Sequence, residues 1–356
     1  MGITAWKRLF YPKCSTSGIP QRKLAATCKF QFCEMTRLIV PDLIATIDAP
    51  DLSAALVLTG PTAAGKTALA LRIAQESGAE IISMDSMTLY RGMDIGTAKS
   101  SQAERAAVPH HLIDVLDPWE DASVSWWLEG ALAAARAIQE RGKRVLFVGG
   151  TGLYLKALLC GLFGGPGANE EIRRRLEGEA AEKGGPEALV ARLLTVDPAS
   201  ARRLHPNDLR RIIRALEVWE TTGQPLSSWQ TQWPAEEKPE LRPTVFWIDI
   251  ARPELHNRIN DRVVSMLEAG WLEEAKALRA LGRPLSTSAS QALGYRELFQ
   301  HLDGTLTMAE AVMRIQARTR QFAKRQVTWF RHLPGCQPID RELVWEAWGL
   351  KVELER

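Results

Sequence analysis

The run Gly60-Pro61-Thr62-Ala63-Ala64-Gly65-Lys66-Thr67 fits the pattern G-x-x-x-x-G-K-[ST]. It follows an apolar stretch, AALVLTG, and opens an Ala/Leu-periodic one, KTALALRIAQESG, that stops at Gly78. That context specifies a buried strand, a tight loop and a helix. Glycine lets the loop backbone curl until successive N–H groups point inward. The helix N-terminus adds its dipole, Lys66 a charge, and the Thr67 hydroxyl a ligand for Mg²⁺, so the loop is a cradle for phosphate groups.

Further along, the same alternation repeats. AEIISMD reads as a second strand ending at Asp85, HLIDVLD as a third, SVSWWLEGALAAARAIQERG as a helix, and KRVLFVGGTG as a strand running into the Gly149–Gly152 turn. Strands alternating with helices predict an α/β fold, a P-loop NTPase-like parallel sheet with helices on both faces. The cradle, Asp85 and the GGTG turn then share the carboxyl ends of the strands, where such sheets bind ligands. From Gly164 the chain turns helical and charged until an apolar strand returns at RPTVFWIDIA. We therefore expect a core over 51–163, an α-helical insertion domain over 164–242, a return to the core over 243–333 and a tail over 334–356. Residues 1–50 stand apart as an N-terminal extension. Its first 33 residues carry six Lys/Arg and no acid, which suits a transit peptide, a disordered tail, or a start assigned ahead of Met35.

Composition excludes several classes. The five cysteines form no CxxC pair and no set with zinc spacing, so a reducing, cytoplasmic setting is expected. No apolar run approaches the roughly 18 residues of a membrane span. The net charge of +3 names no partner by itself, but the basic residues cluster. ARRLHPNDLRRIIRALEVW puts Arg210, Arg211 and Arg214 on a helix capped by Asn207 or Asp208. AVMRIQARTRQFAKRQVTWFRHL carries Arg314, Arg318, Arg320, Lys324, Arg325 and Arg331, with Phe322, Trp329 and Phe330 between them. Cations with interleaved rings suit RNA, since cations hold phosphates and rings stack unpaired bases. A solvated helix face with its rings in the core is the alternative.

The cradle does not by itself mean nucleotide hydrolysis. Triphosphatases commonly end an apolar strand on an acid that positions Mg²⁺, whereas RVLFVGGT ends in Gly-Gly-Thr. Asp85 has three open roles: general base, outer contact of a metal, or cap for the residues after it.

Taken together, GPTAAGKT, DSMTLYRGMDIGTAK, VPHHLIDVLDP, VGGTGLYLKALLCGL, HPNDLRRIIRALEVWETTG, SASQALGYRE and RTRQFAKRQVTWFR resemble, in order, the motifs of the tRNA dimethylallyltransferases, bacterial type. The resemblance runs from about 54 to 332. It implies transfer of a dimethylallyl group from dimethylallyl diphosphate to N6 of the adenosine 3′ of the anticodon, with Mg²⁺ as cofactor and the tRNA anticodon stem-loop as partner. It implies diphosphate binding by Gly60, Pro61, Thr62, Ala63, Ala64, Gly65, Lys66 and Thr67, with Thr67 on the metal. Catalysis falls to Asp85 as base, Thr151 and Lys66. The residues implied for tRNA are Asp85, Ser86, Met87, Thr88 and Thr151; Arg173, Arg210, Arg211, Ile212, Ile213 and Arg214; and Gln291, Ala292, Leu293, Gly294, Tyr295 and Arg296. Thr88 stands where the family often has Gln. A monomer is expected. The rival readings are a P-loop kinase of a small metabolite, which would use arginines such as Arg252, Arg258 and Arg262 in a lid but leaves the arginine-bearing insertion unexplained, and an RNA-binding protein, which leaves the cradle unexplained.

Overall fold

The computed structural model describes residues 50–162, 165–229, 242–339 and 341–350. The expected extension at 1–50 therefore lies outside the described residues, except for Pro50. The chain divides into two compact units, one helical over 165–229 and one built on the sheet.

Six parallel strands form the sheet: β1 (Leu56–Thr59), β2 (Glu80–Ser83), β3 (His110–His111), β4 (Val145–Gly149), β5 (Thr244–Trp247) and β6 (Cys336–Pro338), in the order β3-β2-β4-β1-β5-β6. Strand alternation sends successive side chains to opposite faces. Leu56, Leu58, Ile81, Leu146 and Phe246 pack on one face with Ile73 and Ala74. Val57, Ile82, Phe147 and Trp247 pack on the other with Trp127 and Tyr154. Helices thus cover both faces, as the unbroken apolar strands require. The third strand is shorter than HLIDVLD suggested. Leu112 and Asp114 adopt φ of 59° and 56°, which ends the extended run after His111.

In chain order, α1 (Lys66–Ser77) follows the cradle, α2 (Gln102–Ala107) carries a Ser101/Glu104 capping box, α3 (Val124–Glu140) starts at Ser123, and α4 (Gly152–Cys160) starts at Thr151. The helical unit contains α5 (Glu170–Ala181), α6 (Gly185–Val196), α7 (Pro198–Arg203), α8 (Leu209–Thr222) and α9 (Leu226–Trp229). Its core is the apolar side of α8 with Leu176, Leu189 and Leu193. Two buried acids organise it. Asp197 caps α7 through Ser200 N–H and also accepts from Ser227 N–H. Glu217, fully buried, accepts from Asn169 N–H (2.6 Å), Arg173 Nε (3.1 Å) and Arg214 Nη1 (2.8 Å).

The sheet unit resumes with β5, then α10 (Arg252–Glu268), α11 (Trp271–Ala280), α12 (Tyr295–Leu302), α13 (Met308–His332) and α14 (Arg341–Ala347). The segment after 333 is no mere tail. It adds β6 to the edge beside β5, and Val344, Trp345 and Trp348 bury against the α1 face of the sheet. Arg72 and Arg144 lie over the Trp345 and Trp348 rings.

Candidate active site

The site lies at the carboxyl ends of β1, β2 and β4. Three residues of positive φ shape the loop after β1: Gly60 (φ +149°), Ala63 (φ 63°) and Gly65 (φ 85°). Its φ favours glycine at Gly60, and a side chain there would also crowd Ile248 N at 3.1 Å. Helix α1 begins at Lys66 with no side-chain cap, leaving first-turn N–H groups for a ligand. Lys66 Nζ donates to its own loop, to Gly60 O (3.0 Å) and Pro61 O (2.8 Å). Burial pushes its ammonium down to about 8; Asp85 works against that shift and Arg262 adds to it. Burial likewise lowers the Arg262 guanidinium, with Asp85 opposing. Lys66, Asp85 and Arg262 thus form one electrostatic group.

The strand ends are locked together. Thr59 Oγ1 donates to Gly149 O (2.8 Å), Met84 N to Val148 O (2.7 Å) and Thr151 N to Met84 O (3.2 Å). The β2 and β4 ends pass so closely that a Cβ on Gly149 would sit 2.1 Å from Met84 O. Thr151 Oγ1 accepts from Ser86 N–H (3.1 Å), and Asp85 Oδ1 from Met87 N–H (2.9 Å). Asp85 therefore follows a strand end and pins its own following turn, as a cap would. It does not start a helix, and it lines the cleft.

That cleft encloses about 920 Å³. Of the residues expected from sequence, Thr62 through Thr67, Asp85 through Thr88, Thr151, Gln291, Ala292, Leu293 and Arg296 line it. Thr88 is mostly buried, its hydroxyl within 2.7 Å of Ser83 Oγ, so it braces the β2 end. Gly294 and Tyr295 fall outside the lining and have structural roles. Glu274 accepts N–H bonds from Asp94, Ile95 and Gly96 and the hydroxyl of buried Tyr295 (2.6 Å), and so ties the SASQALGYRE segment to the loop after β2. Gly294 has no room for a side chain, since a Cβ would meet the Trp271 ring at 2.1 Å.

On the helical unit the expected residues separate. Ile212 and Ile213 are 1% and 7% exposed, so their side chains belong to the core of that unit. Arg173 and Arg214 both hold Glu217. Arg210 and Arg211 are exposed, and Arg211 pairs with Asp208 at 3.3 Å. Asp208 occupies the N-cap position of α8 without a capping bond, contrary to the expected cap. On α13 the basic stripe is also divided. Arg320 donates to Asn260, Arg331 lies over Trp247, and Phe330 is core, whereas Arg318, paired with Glu297, Phe322 and Arg325 line the cleft.

Two further cleft residues bear on the chemistry. Arg262, read from sequence only as a lid arginine of the rival kinase, projects from α10 between the buried Ile259 and Val263. Gln326 was hidden inside the basic stripe. Its Oε1 accepts from Thr62 N–H (2.9 Å) and its Nε2 donates to Gly150 O (2.8 Å).

Comparison with known proteins gives a consistent picture. A family profile described as IPP transferase matches residues 88–333, and one described as isopentenyl transferase matches 53–113. A tRNA dimethylallyltransferase of Symbiobacterium thermophilum is 50% identical over 291 residues, covering 82% of this chain and 88% of that protein. One from Geobacter metallireducens is 46% identical over 290 residues, covering 82% and 91%. Among solved structures, a eukaryotic dimethylallyltransferase acting on tRNA superposes with a TM-score of 0.68 at 27% identity, covering 85% of this chain and 81% of that one.

Proposed function

This chain belongs to the IPP transferase family, and we propose that it transfers a dimethylallyl group from dimethylallyl diphosphate to N6 of adenosine-37, 3′ of the anticodon, in tRNAs that read codons beginning with U. The observation that carries this reading is the cleft itself: a phosphate cradle, an acid and a threonine from three strand ends line one space. A phosphate cradle alone serves many reactions. An acid set across the same cleft, free to take a proton, suits an amine nucleophile.

The chemistry follows from the positions. The diphosphate lies on the uncapped N-terminus of α1 and draws Lys66 away from the Gly60 and Pro61 carbonyls. Arg262, half-buried in the cleft, adds a second cation for the leaving group. The N6 lone pair attacks the allylic C1, the C1–O bond to the diphosphate breaks, and the N6 proton passes to Asp85. Thr151 contacts the target nucleotide from the neighbouring strand end. Holding amine and carbon in line supplies roughly 7–11 kcal/mol of barrier reduction. The adenine must leave its stack at a cost of a few kcal/mol, which contacts elsewhere on the RNA offset.

Among the described residues no group of three or more His, Cys, Asp or Glu is arranged to hold a metal. The cradle instead fits Mg²⁺, which is commonly held by one or two protein oxygens together with substrate phosphates. Thr67 would be its protein ligand, and the ion would neutralise the departing diphosphate. Among the described residues no helix is long and apolar enough to cross a membrane. We place the reaction in the cytoplasm with its tRNA, and read the enzyme as a monomer.

The test is incubation with labelled dimethylallyl diphosphate, Mg²⁺ and unmodified tRNA. Label in the tRNA, lost when adenosine-37 is replaced by guanosine, is the expected result. Label released only as free alcohol, or transferred to a small metabolite, removes the reading.

A further inference from the structure

We propose that Gln326 is a positioning residue that sets the separation between the two halves of the active site; this rests on the transfer reaction given above. The residue is 5% exposed, and its amide joins two loops. Oε1 takes the Thr62 N–H of the phosphate cradle, and Nε2 gives its proton to Gly150 O in the GGTG turn. The next residue, Thr151, holds Ser86 N–H beside Asp85. One unbroken path of bonds therefore runs from the loop that holds the electrophile to the edge that presents the nucleophile's base, and α13 enters that path through Gln326.

The amide is itself held firmly. One turn before it, Ala323 packs with Leu255 and Ile259 of α10, against which Ala63 of the cradle also rests. One turn after it, the buried Phe330 lies 6.4 Å from the Trp247 ring of β5. Gly150 completes the fit, because a Cβ there would stand 2.4 Å from Gln326 Nε2. The sheet does not depend on the link. β1 and β4 pair directly, and Thr59 already bonds Gly149 O. Loss of the amide should loosen the two loops and leave the strands in place. The effect should then appear in the rate of the chemical step, where small misplacements are costly, and not in ligand affinity.

Three variants attack the brace from different sides. Gln326→Met removes both bonds at similar volume. Gln326→Glu keeps the acceptor for Thr62 N–H but sets a carboxylate against Gly150 O. Gly150→Ala pushes the amide out of place with its side chain intact. Each should lower single-turnover transfer, at saturating donor and tRNA, by about 10²-fold, the scale of a misplaced reacting group. In Gln326→Met and Gly150→Ala, inorganic pyrophosphate and tRNA should bind within about threefold of wild type, because neither the cradle charge nor the RNA surface has changed. Hydrogen exchange at the Thr62 amide should accelerate while the strand amides keep their protection. The Gly150→Ala, Gln326→Met double variant should be no slower than either single one, since both break the same link.

Transfer within about threefold of wild type in all three overturns the proposal, being too small for misplacement. So does a loss carried wholly by pyrophosphate affinity, which would make Gln326 part of the cradle. A fast Gln326→Glu enzyme would also overturn it, since the Gly150 bond would then be dispensable. Should Gln326→Met fail to fold, the other two variants decide. A wild-type chain that transfers no label overturns the functional reading and this role with it, whereas unchanged exchange at Thr62 removes the brace and leaves that reading standing.

Discussion

Two cations of the cleft and the arginines of the helical unit are held in opposite ways. In the sheet unit, Lys66 and Arg262 line a cleft, and no carboxylate among the described residues bonds to either. Asp85 acts on both at a distance, and burial lowers both cations. In the helical unit the cations are largely spoken for. Arg173 and Arg214 share Glu217, while Arg175 and Arg192 share Glu179 and Glu220. A cation with no acid bonded to it in a cleft is available to an anionic substrate, whereas a cation bonded to a buried acid holds helices together. Arginine counts along a sequence do not distinguish the two.

The largest effect should come from the cleft. Asp85→Asn keeps the bond to Met87 N–H but cannot take a proton. Single-turnover transfer should fall by about 10²–10⁴-fold, the range for loss of a general base. Pyrophosphate affinity should rise slightly, because a negative charge near the cradle is removed. A rate within about threefold of wild type would leave Asp85 as a turn-pinning residue, since loss of a general base ordinarily costs far more. The matching change in the helical unit is Glu217→Leu. It leaves Arg173, Arg214 and Asn169 N–H without their shared acceptor, so that unit should lose about 3–5 kcal/mol. Thermal denaturation would report it, and an unchanged melting temperature would contradict the structural role assigned to these arginines.

How much of this was legible beforehand depends on the kind of signal. The cradle, the β2 and β4 ends and the helical span were readable because each rests on local chemistry: glycine freedom, apolar periodicity and strand-end position. What local chemistry could not reveal was pairing across distance. Nothing near Ile212 and Ile213 says that their neighbours Arg210 and Arg211 face outward while Arg214 turns back to Glu217, since the helical phase becomes meaningful only once α5 and α6 are in place. Tyr295 read as a contact residue within a motif; its hydroxyl also reaches Glu274, which holds the loop at Asp94–Gly96, a link no local signal announces. Gln326 was invisible for the same reason, its partners lying 264 and 176 residues away. The stretch from Pro334 onward read as tail for want of a visible partner. Its partners are a strand edge and a sheet face built by distant residues: β6 pairs with β5, and Trp345 of α14 packs on the sheet.

A smaller effect should separate the units by pH. With the Lys66 ammonium lowered to about 8, it is mostly charged at neutrality and loses its proton as pH rises through that value. Pyrophosphate binding should therefore weaken between about pH 7 and 9, approaching a tenfold loss per unit above the midpoint. For folding the sign reverses. The unfolded chain holds the Lys66 proton up to its ordinary, higher value, so this group makes folding more favourable as pH rises above about 8. Calorimetric titration of pyrophosphate against wild type and Lys66→Met checks the first claim; a pH slope that survives in Lys66→Met would assign the titration to another group.

The smallest expected effect tests the comparison most finely, because it sets neighbours on one helix against each other. Arg211 is 70% exposed and its pair with Asp208 is a surface contact worth little to folding. If it grips an RNA phosphate, Arg211→Ala should leave the melting temperature unchanged and lower the slope of log K against log salt by about one, the yield of a single lost phosphate contact. Arg210→Ala, from the same exposed turn, should behave alike. Arg214→Ala should do the reverse. It leaves the buried Glu217 one donor short, so stability should fall, and any loss of tRNA binding should follow unfolding and carry no change in salt slope once folded protein is counted. Filter binding of an anticodon stem-loop over a range of salt, alongside thermal melts, distinguishes the cases. Equal slopes for Arg211→Ala and wild type would mean that the exposed arginines are merely solvated, and that the helical unit holds its RNA by other residues or not at all.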